Sequence, residues 1–104
     1  MVTAKFTQKD GKLVAFDVSG HAGFANAGED IVCAGVSSAL QLTANGITEV
    51  VGAKAQVKVE ENWISLKLMV SDQRAEDFMR AFLLQLNLLS EAYPNTISVN
   101  VSEV

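Results

Sequence analysis

The first two strands of the fold are encoded in residues 2–19, VTAKFTQKDGKLVAFDVS. Apolar and polar residues alternate before the central Asp10-Gly11 pair and again after it, as in strands that bury one face. Asp-Gly is a strong hairpin signal because both central residues of the tight turn must adopt positive φ. The stretch therefore predicts a hairpin of strands Val2–Lys9 and Lys12–Ser19. On the second strand, the residues predicted to share one face are Val14, Phe16 and Val18.

The rest of the chain extends this hairpin into an α+β fold. Apolar residues at three- and four-residue steps predict two helices, and a second alternating stretch predicts another hairpin. The predicted order is ββαββαβ, which indicates a small, mostly antiparallel or mixed sheet of five strands with two helices packed on one face. The first helix is predicted from Asp30 to about Val51. The second helix is predicted to begin after a cap at Ser71 or Asp72 and to end at Pro94. A turn is predicted near Glu61-Asn62, and a last strand is predicted through Ile97, Val99 and Val101.

Length and composition set limits on function. The 104 residues are enough for one domain with its own core, and no linker or repeat divides them. The net charge is −4 and the eight basic residues are scattered, which argues against direct nucleic-acid binding. No run reaches the roughly 18 apolar residues of a membrane span, and the first residues do not read as a secretory signal. A single cysteine excludes an internal disulfide and favours a cytoplasmic location.

His21 and Cys33 are the only histidine and the only cysteine, and a glycine-rich run separates them. An imidazole, with an ordinary pKa near 6.5, can accept a thiol proton and later protonate a leaving amine. The pair therefore suggests a cysteine hydrolase. One histidine and one cysteine leave a zinc site short of its usual ligands. Phosphate binding is disfavoured because Glu29 and Asp30 end the run, so no metal and no cofactor are expected.

The position of Cys33 supports a reactive thiol. If Asp30 is the N-cap, Cys33 is the third helical residue, close to unpaired amides and to the positive end of the helix dipole, which would favour the thiolate and a developing oxyanion. Cys33 also lies at the edge of the apolar stripe, in a polar ribbon with Asp30, Ser37 and Gln41. The alternative is a small buried cysteine with a packing role, and the physical arguments alone leave both readings open.

His21 follows Gly20 at the end of the second strand, where the chain enters the loop Ala22 to Glu29. Gly23, Phe24 and Gly28 suit a lid that closes over a substrate, although the loop could equally be a simple connection.

The residues around the pair resemble the ribosomal-processing cysteine protease family, Prp. The resemblance rests on residues 19–23, SGHAG, and 28–40, GEDIVCAGVSSAL, and the ββαββαβ order extends it over the chain. It implies a cytoplasmic, homodimeric endopeptidase that removes the N-terminal extension of the twenty-seventh large-subunit ribosomal protein, with an aromatic residue at the cut. In this chain His21 matches the catalytic histidine and Cys33 the nucleophile, whereas Asp30 and Ser37 match motif positions interpreted as capping and substrate-lining.

A ribosomal substrate is basic, so the acidic chain suits it electrostatically. Two other functions stay open at this stage. One is a non-catalytic module that binds a ribosomal protein or particle during assembly. The other is a thiol redox sensor, which would need a partner thiol because the chain has no second cysteine.

Overall fold

The computed structural model describes residues 1–20 and 27–104, and for residues 27–30 it describes the backbone alone. Five strands and two helices follow one another in the predicted ββαββαβ order. The strands are β1 Val2–Lys9, β2 Lys12–Ser19, β3 Ala55–Glu60, β4 Trp63–Leu68 and β5 Ile97–Glu103, and the helices are α1 Ala27–Asn45, continued by a π-helical segment Gly46–Val51, and α2 Gln73–Ala92.

The five strands form one mixed sheet in the order β3-β4-β2-β1-β5. Every neighbouring pair is antiparallel except β1 and β5, which run parallel. The helices pack on one face of this sheet, which confirms the predicted α+β class. The two predicted hairpins become β1-β2 and β3-β4, and the pairing of β2 with β4 joins them. As a result β2, which leads to His21, lies at the centre of the sheet.

Three phenylalanines form the centre of the core between the sheet and α2. Phe6 on β1 and Phe16 on β2 face each other in the ladder, and Phe82 packs on both from α2. The ring centroids are 5.2 to 5.9 Å apart, in tilted and edge-to-face arrangements that aromatic pairs prefer. All three side chains are almost fully buried. They fix the height and the position of α2 above the central strands.

The predicted alternation of β2 fails at its start, where a β-bulge interrupts the pairing with β1. Thr7 pairs with Ala15 but Gln8 pairs with Leu13, so Val14 is the extra residue. Leu13 is therefore buried in place of Val14, which is only half-buried. The carboxylate of Glu76 on α2 accepts a hydrogen bond of 3.0 Å from the Leu13 N–H. The prediction that Val14 shares the buried face with Phe16 and Val18 is wrong for this reason.

The first helix differs from the prediction at both ends. It begins at Ala27, three residues before Asp30, and its last turn is π-helical from Gly46 onward. A π-helix has more residues per turn, so the apolar stripe rotates out of register and Val50 is 79 % exposed. Gly46 allows close packing, because a Cβ there would lie 2.4 Å from the Phe78 ring.

Residues Ile31–Val51 are long and apolar enough to cross a membrane by length and composition alone, with a mean hydropathy of 1.2. Their packing is that of a core helix. Val32, Val36, Leu40 and Ile47 are buried in the same cluster as the sheet residues. The apolar character of the segment is thus explained by its contact with the core.

The second helix follows the prediction closely. Asp72 is its N-cap, and one carboxylate oxygen accepts hydrogen bonds from the N–H groups of Arg74 and Ala75. The helix ends at Ala92, two residues before Pro94. On its buried side, Glu76 is 4 % exposed and also accepts a hydrogen bond of 2.8 Å from Arg80 Nε. Arg80 in turn donates to the Gly11 carbonyl, so α2 holds the first hairpin at its turn.

We expect Glu76→Ala to lower the free energy of unfolding by about 2–3 kcal/mol, because it leaves the buried Leu13 N–H and the Arg80 guanidinium without their acceptor. Glu91→Ala is the matched control on the same helix, where the side chain is exposed, and it should change stability by no more than about 0.5 kcal/mol. Urea unfolding followed by circular dichroism measures both. Equal effects of the two substitutions would show that the Glu76 contacts contribute nothing.

Candidate active site

Backbone hydrogen bonds hold the end of β2, the strand that precedes His21. Ser19 is the last residue of β2 and pairs with Trp63 on β4, and Gly20 donates a backbone hydrogen bond of 2.9 Å to the Asn62 carbonyl. Gly20 has a φ of +78°, a conformation that residues with a side chain rarely adopt. A Cβ at this position would also lie 2.6 Å from the backbone oxygen of Met1. Both constraints require glycine here and set the direction in which the chain enters His21.

Three of the predicted site residues, His21, Gly23 and Phe24, lie outside the described residues. The structure thus describes the strand end before them and the helix after them. The predicted loop Ala22 to Glu29 is shorter than expected, because its last three residues, from Ala27 onward, belong to α1. Gly28 is accordingly a helical residue and no part of a lid.

Cys33 lies farther into α1 than the sequence predicts. With the helix beginning at Ala27, Cys33 is its seventh residue and lies in the second turn. Asp30 is inside the helix, so the prediction that it is the N-cap is wrong. The prediction that Cys33 lies next to the amides of the first turn fails with it, and the effect of the helix dipole, which falls off within that turn, is weaker at Cys33 than expected.

The burial of Cys33 agrees with the predicted place at the edge of the apolar stripe. Its side chain is half-buried and packs against the core, next to the buried Val32 and one turn before the buried Val36. Ser37 and Gln41, the following members of the polar ribbon, are exposed. One side of the thiol therefore contacts the core, and the ribbon beside it is open to solvent.

The sequence does not predict the groove between α1 and α2. It has a volume of about 500 Å³ and begins at Gly35, two residues after Cys33. Small residues at Gly35, Ser38 and Ala39 on α1 and at Ala81 on α2 leave this space, and Phe78 and Leu42 give it apolar walls. The sequence signal for it is the row of small residues at helical spacing, which is visible in the printed chain.

A search for metal ligands covers only the side chains that the structure describes. Among the described side chains, those of residues 1–20 and 31–104, no three histidine, cysteine, aspartate or glutamate side chains lie together as metal ligands would. The structure describes a half-buried thiol on α1 and, separately, the end of the central strand that precedes the only histidine of the sequence.

The family of the chain follows from comparison with known proteins. The model of the family described as cysteine protease Prp matches residues 1–98, which include both His21 and Cys33. The chain belongs to the Prp family of cysteine proteases. It is accordingly a peptide hydrolase that uses a cysteine.

Relatives in two bacterial species agree with this family. The ribosomal processing cysteine protease Prp of Staphylococcus aureus is 28 % identical over 104 residues, covering 96 % of this chain and 98 % of the relative. A crystal structure of a Streptococcus mutans protein has a TM-score of 0.90 at 25 % identity, covering 100 % of this chain and 96 % of the other. The S. aureus Prp in complex with a substrate peptide has a TM-score of 0.87 at 25 % identity, covering 97 % and 99 % of the two chains.

The constraint at Gly20 predicts a loss of activity from a small substitution. Gly20→Ala adds a methyl group in the positive-φ region and against the Met1 carbonyl, so we expect a loss of about 1–3 kcal/mol in stability and a larger relative loss of protease activity in the protein that stays folded. Gly11→Ala is the matched control. Gly11 has a φ of +79° but nothing within 4 Å of its added Cβ, so the substitution should cost only about 1–2 kcal/mol and leave activity per folded molecule unchanged.

Activity is measured as cleavage rate per folded molecule, with the folded fraction taken from circular dichroism at the assay temperature. If the Gly20→Ala enzyme cleaves as fast per folded molecule as the Gly11→Ala enzyme, Gly20 does not position His21.

Proposed function

We propose that this protease removes a short N-terminal extension from the twenty-seventh protein of the large ribosomal subunit, with Cys33 as nucleophile and His21 as base. The observation that carries the proposal is the family match over residues 1–98, which contains the only thiol and the only imidazole of the chain. The S. aureus relative is named a ribosomal processing cysteine protease, which supports a ribosomal protein as the substrate. A further S. aureus Prp structure holds a covalently linked product peptide.

The reaction proceeds in two halves. His21 takes the proton of the Cys33 thiol, and the thiolate attacks the carbonyl carbon of the scissile peptide bond. The tetrahedral intermediate collapses, the C–N bond breaks, and the imidazolium gives its proton to the leaving amine. Water, deprotonated by His21, then attacks the thioester and releases the carboxylic acid, which restores the thiol. No third, orienting carboxylate is assigned, so the catalytic unit is a dyad.

The position of Cys33 in the second turn of α1 supports a larger role for His21 in forming the thiolate. The helix dipole contributes less there than at the first turn, so the imidazole is the main group that stabilises the charged thiolate. The N–H groups within a helix already bond to carbonyls four residues before them. The donors that bind the oxyanion therefore come from outside the helical interior around Cys33.

The remaining site residues have supporting roles in this proposal. Gly20 precedes His21 in a conformation that requires glycine, and Gly23 and Phe24 are assigned contacts with the substrate. Ser37 is one turn beyond Cys33 on the same side of α1 and is exposed, which supports its contact with the bound peptide. Gly28 contributes to the start of α1 rather than to a loop.

The cellular setting follows from the proposed substrate. Ribosomal proteins are basic, and the net charge of −4 favours their encounter with this chain. We place the reaction in the cytoplasm, by one catalytic domain that works as a homodimer and needs no metal or cofactor. Nucleic acid and membrane are not partners in this scheme.

Removal of either member of the dyad should abolish cleavage. We expect Cys33→Ala and His21→Ala each to reduce the cleavage rate by at least about 10³-fold, because the first removes the nucleophile and the second its base. The measurement is incubation with the ribosomal protein that carries its extension, followed by mass spectrometry of the products. The same ribosomal protein without the extension is the matched substrate control.

Cleavage that persists in either variant would contradict the dyad. Tight binding of the extended ribosomal protein by the wild-type chain, without any cleavage, would instead favour a non-catalytic assembly module. Circular dichroism of both variants confirms that a loss of cleavage is not a loss of fold.

Two adjacent serines test the substrate-lining role of the polar ribbon. Ser37 and Ser38 are both exposed on α1, but Ser38 is rotated by about 100° and lines the groove against α2. We expect Ser37→Ala to raise KM about two- to tenfold with little change in kcat, because one hydrogen bond to the peptide is lost. Ser38→Ala should leave both constants unchanged. If the two variants behave alike, the peptide does not follow the ribbon.

A further inference from the structure

Strand β3 leaves apolar side chains open at one edge of the sheet. Val57 pairs with Leu66 and Val59 pairs with Ile64, so both valines lie on the face that the rest of the sheet buries under the helices. Leu66 is fully buried, yet Val57 is 41 % and Val59 68 % exposed. The core contacts β3 only at its start, where Ala55 is half-buried, and Val57 and Val59 stay accessible.

Among the strands that the structure describes, none pairs with the outer side of the β3 backbone. Met69 donates a hydrogen bond of 2.8 Å to the carbonyl of Lys54, which extends the β3-β4 ladder one residue beyond Ala55. In an antiparallel ladder the residues that bond to a given neighbour alternate. Lys54, Gln56, Lys58 and Glu60 thus direct their N–H and C=O groups toward β4. Ala55, Val57 and Val59 direct theirs outward, where the sheet ends.

We propose that β3 pairs antiparallel with β3 of a second copy of this chain, about a two-fold axis at Val57, to form a continuous ten-stranded sheet. The homodimer is part of the proposed function, and this inference specifies its interface. About six backbone hydrogen bonds would form between the outward groups of the two strands.

The sequence of β3 is complementary to itself in this register. Val57 lies opposite its own copy, and Ala55 lies opposite Val59, so the apolar face continues across the interface. On the other face Lys54 lies opposite Glu60 and Gln56 lies opposite Lys58. Each of these pairs occurs twice because of the two-fold axis, which gives two Lys54-Glu60 ion pairs.

The neighbouring registers of the β3–β3 pairing bring less complementary side chains together. An axis at Lys58 places the two Lys58 side chains against each other and puts Ala55 opposite Glu61. An axis at Val59 places Val57 opposite Glu61 and leaves Ala55 outside the pairing. Pairing of β3 with the opposite edge, β5, would leave free edges on both copies and build an open fibre, whereas the two-fold arrangement closes.

Exchanging the charges of Lys54 and Glu60 tests the proposed register of the β3–β3 pairing. The probe is a second copy of the full chain, and sedimentation velocity over a concentration series measures the dimer dissociation constant. We expect Glu60→Lys and Lys54→Glu each to raise this constant about tenfold or more, because each creates two like-charge pairs. The double variant K54E/E60K should recover the wild-type value, since it restores both ion pairs with the charges exchanged. Absence of this recovery would overturn the register.

Two valines on opposite edges provide the matched control for the surface. Val57→Lys should convert the dimer to a monomer, whereas Val101→Lys on the β5 edge, at a residue that is 45 % exposed, should not. A wild-type chain that stays monomeric at 100-fold the enzyme concentration of the cleavage assay would overturn the proposal, and so would a Val57→Lys variant that stays dimeric.

The peptide-cleavage assay distinguishes failure of the proposed β3 interface from failure of the proposed protease function. A monomeric wild-type chain that cleaves the extended ribosomal protein leaves the protease function intact and rejects only the interface. A monomeric wild-type chain whose peptide binding is lost in Val57→Lys would show that the substrate, and not a second copy, adds to β3. A dimer that behaves as described here but cleaves nothing would reject the proposed function and retain the interface.

Discussion

The contact of Phe82 with Phe6 and Phe16 is the constraint on which the rest of the structure depends. Two of these rings come from adjacent strands of the first hairpin and one from α2, a helix more than 60 residues away in sequence. Once the rings pack, α2 lies over the centre of the sheet, and the remaining space on that face is taken by α1. The bulge in β2 and its contact with Glu76 belong to the same arrangement, because Leu13 can enter the core only if Val14 leaves the regular ladder.

This packing positions the two elements that carry the candidate site, β2 and α1. β2 is held on both sides by β1 and β4, so its last residues cannot move independently of the sheet. Gly20 adds a backbone hydrogen bond to Asn62 and a close approach to Met1, which fixes the chain at the residue before His21. Cys33 is fixed separately, by packing of the second turn of α1 on the core. The residue proposed as the base thus follows a central strand, and the residue proposed as the nucleophile lies on a packed helix, which is the support that a catalytic pair needs.

Much of this fold could be predicted from the sequence because its signals are local. Alternation, the Asp10-Gly11 turn and the Asp72 cap each depend on neighbouring residues, and the structure confirms them except for the alternation at the start of β2. The start of α1 could not be predicted, since Asp30 is a good capping residue and only the whole context extends the helix back to Ala27. The bulge at Val14, the π-helical turn at Gly46 and the groove at Gly35 depend on contacts with α2, which periodicity does not contain. The chemistry of His21 and Cys33 alone left a packing role for the thiol open, and the family resemblance was needed to favour the catalytic roles proposed for them, because two single residues carry no spacing pattern.

The sheet also connects the β3 edge with the site. The turn after β3 contains Asn62, whose carbonyl accepts the hydrogen bond from Gly20, and Glu60 pairs with Trp63 at the same end of the sheet, next to Ser19. Any added strand on β3 would restrict the motion of this turn, because edge strands gain order when their outward groups are paired. The β3-β4 turn thus contacts Gly20, the last described residue before His21, which we propose as the base. Pairing at the β3 edge and the conformation of Gly20 are therefore connected through one backbone hydrogen bond, from the Gly20 N–H to the Asn62 carbonyl.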